Sequence, residues 1–348
     1  MAVERSSLVP VVGCLSVFCL ESVVYNWLFL GRMLPSVGKQ SLVPFFAVCF
    51  NVLWLLAVLS YLRMHLSDPG RVPERWHSFV KKTGNLNTAS SRQSWQPGLV
   101  TTCRKCDGRS RPERAHHCAV CKVCVLRMDH HCPWTANCVG FWNYKYFLLL
   151  GAYMCCASLF AFVTALPELF YCVTGWRTGR DADDASDGWA SEDLVGRRLS
   201  VAWRYSVATP EGVVFLVAEL IVLFVFVMGC LMLKSHLPLA TRNLTSIEEF
   251  YDNMPNPFDH ESALANLSQV MGELGPDWLL PVAPWRPLSD GVSFPRPNEK
   301  LPHGLAAAVR LAADDESEDN EEDSPIHELW RFRYEAPRLT NRSAWACG

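Results

Sequence analysis

Charge is scarce in this chain, and the scarcity is uneven. Asp, Glu, Lys and Arg make up 19% of its 348 residues and leave a formal net charge of −3. That balance gives no footing for nucleic acid, a polyanion whose binding needs a basic surface. The acidic excess is itself local, supplied by the run DDESEDNEED at 314–323, which reads as a solvated, disordered tail. Four stretches lack charge almost entirely: 8–30, 42–62, 146–166 and 213–233 each hold at most one ionisable side chain. They also lack the polar face that a helix on a soluble core turns to water. The first run lacks a small-residue cleavage site and exceeds the roughly 7–15 residues of a signal-peptide core, so it reads as an anchor. No internal repeat stands out. A prenylation signal is excluded for Cys347, which only one residue follows.

What is present is apolar length. Half of the residues are hydrophobic, and each of the four runs is long enough to cross a hydrocarbon core of about 30 Å as a helix. Helix is the form expected, because lipid offers no partner to an open backbone. The chain is therefore read as an α-helical multi-pass membrane protein with four transmembrane helices. An even number of spans places both termini on one side, together with the segment between spans two and three. The expected divisions are 1–63 for spans one and two, 64–144 for the middle segment and 145–233 for spans three and four with their connecting loop. A segment at 234–290 and a disordered acidic tail at 291–348 complete the chain. Span three should end near Pro167 and Glu168. The middle segment is net basic and the loop after span three is not, which weakly favours a cytosolic middle segment.

Seven of the 15 cysteines lie between Cys103 and Cys138, interleaved with His116, His117, His130 and His131. Disulfides would use an even number of cysteines and no histidine. Zinc uses both. Cys103-x-x-Cys106, Cys118-x-x-Cys121 and Cys121-x-x-Cys124 are spaced to grip tetrahedral ions when completed by further Cys or His. Two Cys3His sites consume six cysteines and two histidines and leave one cysteine over, the candidate nucleophile. Cys132 follows Asp129, His130 and His131, so a base and an orienting carboxylate stand beside it. Adjacent side chains on an extended backbone point apart, so one histidine is expected to face a metal and the other the thiol.

Asp129-His130-His131-Cys132, followed by Pro133-Trp134, Asn137-Cys138-Val139-Gly140 and Asn143-Tyr144, resembles the cysteine-rich domain of the DHHC palmitoyltransferases over Cys103 to about Phe147. Asp68-Pro69-Gly70 is similar to that family's DPG motif, and Thr245-Ser246-Ile247-Glu248 to its TTxE motif, with Ser246 in place of the second threonine. Asn256-Pro257-Phe258-Asp259 through Asn266 and Gly272 resembles its C-terminal aromatic motif. The loop from Cys106 to Pro112 is one residue longer than usual. Carried over, the family pattern assigns one structural zinc to Cys103, Cys106, His117 and Cys124 and a second to Cys118, Cys121, His131 and Cys138. His116 is left as a surface or supporting histidine.

The resemblance implies a cytosolic zinc-binding, cysteine-rich domain (about 101–147) between helices two and three. It also implies a protein S-acyltransferase that passes a long-chain acyl group, mainly palmitoyl, from acyl-CoA through a Cys132 thioester to cysteines of substrate proteins. Catalysis falls to Cys132, His130 and Asp129. The implied partners are the bilayer, acyl-CoA and proteins with membrane-proximal cysteines. The implied location is the endomembrane system, Golgi or endoplasmic reticulum, with active site and termini cytosolic. Arg104, Lys105, Arg109, Arg111 and Lys122 are available to CoA phosphates. Glu21, Glu168 and Glu219, in or at the ends of spans, are candidates for function. The small-residue run 151–158 admits two readings. Gly151/Cys155 and Ala152/Cys156 are spaced for close helix packing, and Ala157, about 18 Å into a helix from Lys145, is placed to line the far end of an acyl cavity. Cys155, Cys156 and Cys347 are expected to be dispensable. The rival readings are a zinc-scaffolded ubiquitin ligase, which has no use for a cysteine beside two histidines, and an inactive scaffold, which has no use for an intact Asp129–Cys132 run.

Overall fold

The computed structural model describes residues 8–89, 93–183, 205–297, 299 and 324–335. The acidic block 314–323, most of the loop after the third span and Cys347 lie outside them. In chain order the helices are α1 (Leu8–Ser36), α2 (Gln40–Leu66), α3 (Glu74–Thr83), α4 (Tyr144–Asp183), α5 (Pro210–Thr241), α6 (Ala263–Met271) and α7 (Pro325–Tyr334). Six three-residue strands lie between α3 and α4: β1 (Thr101–Cys103), β2 (Arg109–Arg111), β3 (His116–Cys118), β4 (Val123–Val125), β5 (His130–Cys132) and β6 (Asn137–Val139). The chain divides into two compact units, Met1–Leu62 with Trp134–Ala136 and Leu148–Ser235, and Arg63–Pro133 with Asn137–Phe147 and His236–Gly348.

The first unit is helical. Among the described residues four helices, α1, α2, α4 and α5, are long and apolar enough to cross a membrane, with mean hydropathies of 2.0, 2.5, 2.0 and 2.9 in their most apolar windows. Val48, Val52, Leu55 and Leu59 of α2 are exposed, as are Val217, Leu220, Phe224 and Leu231 of α5. Their spacing of three, four or seven residues gathers each set on one helix face, a face that only lipid solvates without cost. The opposite faces close on Phe29, Phe50, Ala161, Ala165 and Phe215. The amides of Asn26 and Asn51 pair reciprocally across α1 and α2 at 3.1 and 2.8 Å.

The apolar span of α4 runs Tyr144–Phe170, close to the expected end at Pro167 and Glu168, while the helix itself continues with that proline inside it. A proline costs one backbone bond and a steric kink, yet beyond it Glu168 meets Lys39 at 2.5 Å and Cys172 is buried in the core cluster. Packing thus outweighs the local breaker. Glu219 is buried, and so is Glu21.

The second unit is built on three antiparallel hairpins, β1–β2, β3–β4 and β5–β6. Each turn passes through a left-handed residue, Asp107 (φ 54°), Lys122 (φ 57°) and Ala136 (φ 49°), and the first adds Gly108 (φ 73°). After α2, Asp68 Oδ1 accepts from the backbone N–H groups of Gly70 and Arg71, both at 2.8 Å. Gly70 adopts φ 103° with Trp142 and Leu126 against it, so a side chain there would be both strained and crowded.

The segment 291–348, expected to be a disordered tail, contains α7, which is anchored. Its Trp330 and Tyr334 pack with Trp76 and Phe79 of α3, and Trp330 Nε1 donates to Asp290 Oδ2 at 3.0 Å. Ser324 caps it, its Oγ accepting from the His327 N–H, and Pro325 follows in the first turn, a strong start signal.

Candidate metal centres and active site

The hairpins explain why the cysteines and histidines are spaced as they are. His117 of β3 lies opposite Cys124 of β4, and His131 of β5 opposite Cys138 of β6. Each pair of strands therefore offers one histidine and one cysteine side by side. The remaining two donors come from the turn of the preceding hairpin, Cys103 and Cys106 for the first pair, Cys118 and Cys121 for the second. The donor atoms of Cys103, Cys106, His117 and Cys124 all lie within 4.8 Å of one another, and so do those of Cys118, Cys121, His131 and Cys138. His117 Nδ1 is 3.5, 3.2 and 3.9 Å from the sulfurs of Cys103, Cys106 and Cys124. His131 Nδ1 is 3.7, 3.4 and 3.6 Å from those of Cys118, Cys121 and Cys138. A tetrahedron of ligands with Zn–S of about 2.3 Å has edges of about 3.8 Å, so both donor sets fit one tetrahedral ion each in size and chemistry.

Alignment of the hairpins exposes an internal repeat that the sequence reading did not find. His116-His117-Cys118-x-x-Cys121-x-x-Cys124 returns as His130-His131-Cys132-x-x-Thr135-x-x-Cys138. Cys103, Cys118 and Cys132 each end the first strand of their hairpin. Cys132 thus stands where the other two hairpins place a donor, but Thr135 replaces the second sulfur and among the described residues no fourth hairpin follows to complete a set. It is buried at 6% exposure.

His130 and His131 point apart, as strand alternation requires. His131 faces the second metal set. His130 Nδ1 meets Asp129 Oδ2 at 2.6 Å. Burial pulls the His130 imidazole down, but hydrogen bonds to Asp129 and Cys132 outweigh it and hold it up at about 9. Burial likewise raises the Asp129 carboxyl, and His130 together with the Ser246 N–H brings it below the ordinary carboxylate value. Ser246 grips Asp129 twice, its N–H on Oδ1 and its hydroxyl on Oδ2, both at 2.9 Å. The serine in place of threonine keeps the hydroxyl that this grip uses.

Two residues further on, Glu248 forms a second clamp. Its carboxylate meets Arg114 Nε and Nη2, both at 2.7 Å, with both side chains 1% exposed. Arg114 also donates to Asn243 and lies over the rings of Phe258 and Phe294. Asn266 fastens the end of α5, donating to the Thr241 carbonyl and to Asp259. The three flanking motifs are thus hydrogen-bonded braces around the hairpins.

Residues 100–253 match the DHHC palmitoyltransferase family. A relative named probable protein S-acyltransferase 13, from Arabidopsis thaliana, is 31% identical over 78% of this chain and 82% of its own length. A second from the same plant, probable protein S-acyltransferase 12, is 30% identical over 67% and 71%. The rat protein named palmitoyltransferase ZDHHC7 is 42% identical over 37% of this chain and 39% of its own. The chain belongs to the DHHC palmitoyltransferase family. Its activity is the S-acylation of proteins, and its four helices make it an integral membrane protein.

Within this DHHC protein one further side chain approaches Asp129 that sequence reasoning missed: His236, near the end of α5, with Nδ1 3.6 Å from Asp129 Oδ2. A histidine at the edge of a hydrophobic run was the available signal. Of the five basic residues considered for phosphate, Arg104, Lys105 and Lys122 are exposed, Arg111 donates to Thr101, and Arg109 lies 3.5 Å from Glu74. His116, the counterpart of His130 in the second hairpin, has Ala115 where its counterpart has Asp129, and its Nε2 is buried without a partner.

Proposed function

We propose that this S-acyltransferase carries the acyl group on Cys132, with His130 as the proton carrier and Asp129 holding the imidazole by its Nδ1–H. The observation that bears most weight is the division of donors. Eight Cys and His side chains fall into two closed sets, and Cys132 belongs to neither while His130 joins it to Asp129.

In the first half-reaction the Cys132 thiol gives its proton to His130 and the thiolate attacks the thioester carbonyl of acyl-CoA. The carbon–sulfur bond to CoA breaks, and the CoA thiolate leaves with the proton that His130 holds. In the second, a substrate cysteine gives its proton to the neutral His130 and attacks the Cys132 thioester. Cys132 leaves as a thiolate and regains that proton. Mainly palmitoyl is the expected cargo, received among the spans, because each methylene buried contributes about 0.8 kcal/mol. Zinc in the two Cys3His sets supplies no step; bound there, it fixes the hairpins that present Cys132 and His130.

Acyl-CoA and reduced thiols are cytosolic, which favours a cytosolic site and termini, in the Golgi or endoplasmic reticulum. Substrate proteins with cysteines close to the membrane fit a nucleophile that stands about 12 residues ahead of the spanning helix α4 in the chain.

The test uses purified full-length protein and radiolabelled palmitoyl-CoA. Cys132→Ser is expected to lose the hydroxylamine-sensitive acyl-enzyme while keeping two zinc ions per chain. Label retained in that variant, or one zinc lost, would overturn the assignment.

A further inference from the structure

Asp129, His130 and His236 place one carboxylate and two imidazoles within 4.8 Å of one another, yet the proposed transfer uses only the first two. Asp129 Oδ2 already accepts from His130 Nδ1 at 2.6 Å and from the Ser246 hydroxyl at 2.9 Å. His236 Nδ1 stands 3.6 Å from the same oxygen, beyond hydrogen-bonding distance, and has no other partner. The His236 ring lies 5.3 Å from the His130 ring at a tilt of 32°. Phe147 meets both edge-on, at 4.8 Å from His236 and 5.3 Å from His130.

His130 is therefore flanked by Asp129 at Nδ1 and by the rings of Phe147 and His236. A polar nitrogen that sits buried, unpartnered and 3.6 Å from a carboxylate carries a desolvation cost that packing alone does not explain, since an apolar ring would pack without it. A carboxylate oxygen accepts more than one donor, and a small closing movement brings Nδ1–H of His236 within reach of Oδ2.

We propose that His236 is a positioning residue for acyl transfer: its Nδ1 edge steadies Asp129 and its ring confines His130, so that the imidazole keeps the orientation that serves Cys132. This rests on the reading of Cys132 as acyl carrier. A group that acts on orientation governs the rate of the bound complex. It does not govern the affinity for acyl-CoA, and it does not govern metal content.

Single-turnover autoacylation of the full-length protein, measured across palmitoyl-CoA concentrations, tests this with His236→Ala and His236→Asn. The asparagine keeps an N–H close to where Nδ1 stands. The alanine variant is expected to lose on the order of 10²-fold in maximal rate, the usual effect of a misplaced reacting group. Its half-saturating concentration and its two zinc ions should be unchanged, and the asparagine should recover most of the rate. Wild-type rate in the alanine variant, equal loss in both variants, or loss accompanied by zinc release or a raised half-saturating concentration each overturns the proposal. Cys132→Ser in parallel separates the two ideas. Label surviving there defeats the acyl-carrier reading, whereas label lost there with His236→Ala at wild-type rate defeats only the role of His236.

Discussion

Two adjacent histidines of this protein do different things because a strand turns successive side chains to opposite faces. His131 joins three sulfurs and His130 joins a carboxylate. His131→Ala is accordingly expected to lower zinc content by one ion and His130→Ala to slow autoacylation with both ions retained. Metal analysis and labelling of the same preparations check the pair, and equal zinc loss would show the assignment to be inverted. That the two point apart was legible in the sequence, since alternation is a local property; which of them joins the sulfurs came only from the resemblance to the family. Ser246 and His236 were not, because they reach Asp129 from more than a hundred residues away and only the fold brings them there. Glu248 is a further case. A buried pair broken on one side costs about 3–5 kcal/mol, so Glu248→Gln is expected to lower thermal stability markedly at neutral pH. Burial raises its carboxyl, but Arg114 more than offsets that and leaves it below the ordinary glutamate value. A depressed carboxyl contributes stability above its unfolded pKa and loses it as pH falls through the folded one. The gap between wild type and Glu248→Gln should therefore be full near neutrality and close in acid, below the ordinary value of 4.5. A gap independent of pH would count against the charge as its source.

At the scale of elements the four spans were visible as runs without charge, and their existence needed no tertiary knowledge. How far the helices themselves run did need it, as α4 shows in passing Pro167. The small-residue run of α4 is resolved in part. A side chain added at Gly151 would strike Met232 and Leu233 of α5, and one added at Gly229 would come within 2.8 Å of Cys155 Sγ, so this face is the close-packed one. Ala157 lies on another: at about 100° per residue it is turned well away from Gly151 and Cys155, and it is buried at 3% exposure. The packing reading holds for the Gly151/Cys155 face, and the proposed cavity wall concerns the other. Gly151→Leu is expected to depress autoacylation uniformly with 14-, 16- and 18-carbon acyl-CoA, through an overpacking cost of about 1–3 kcal/mol. Ala157→Tyr is expected to shift preference toward the shorter donors. Uniform loss in both variants would remove Ala157 from the acyl path. The hairpin repeat escaped the sequence reading because Thr135 breaks the cysteine pattern in its second copy, at the hairpin whose cysteine is proposed to be reactive.

For the molecule as a whole, the two donor sets draw on neighbouring hairpins. The strands of the middle hairpin serve one set while its turn serves the other, so disorder there reaches both. The C-terminal region was legible only as far as its acidic composition; the signal of α7, a capping Ser324 followed by Pro325 and spaced aromatics, was present but outweighed by the charge beside it. Glu299 and α7, on either side of residues 300–323 in the chain, are both seated, with Arg333 Nη2 holding Glu299 at 2.9 Å. Limited proteolysis can read that arrangement. A single cut between 300 and 323 is expected to give two bands under denaturing conditions and one species, of unchanged size, on a native column. A Trp330→Ala variant, which removes a fully buried ring at a cost of about 3–5 kcal/mol, should shed its short fragment after the same cut. Retention of the fragment by that variant would argue against α7 as the anchor. Cleaved and whole, the protein should run alike, its last segment behaving as a subunit that happens to be encoded in the same chain.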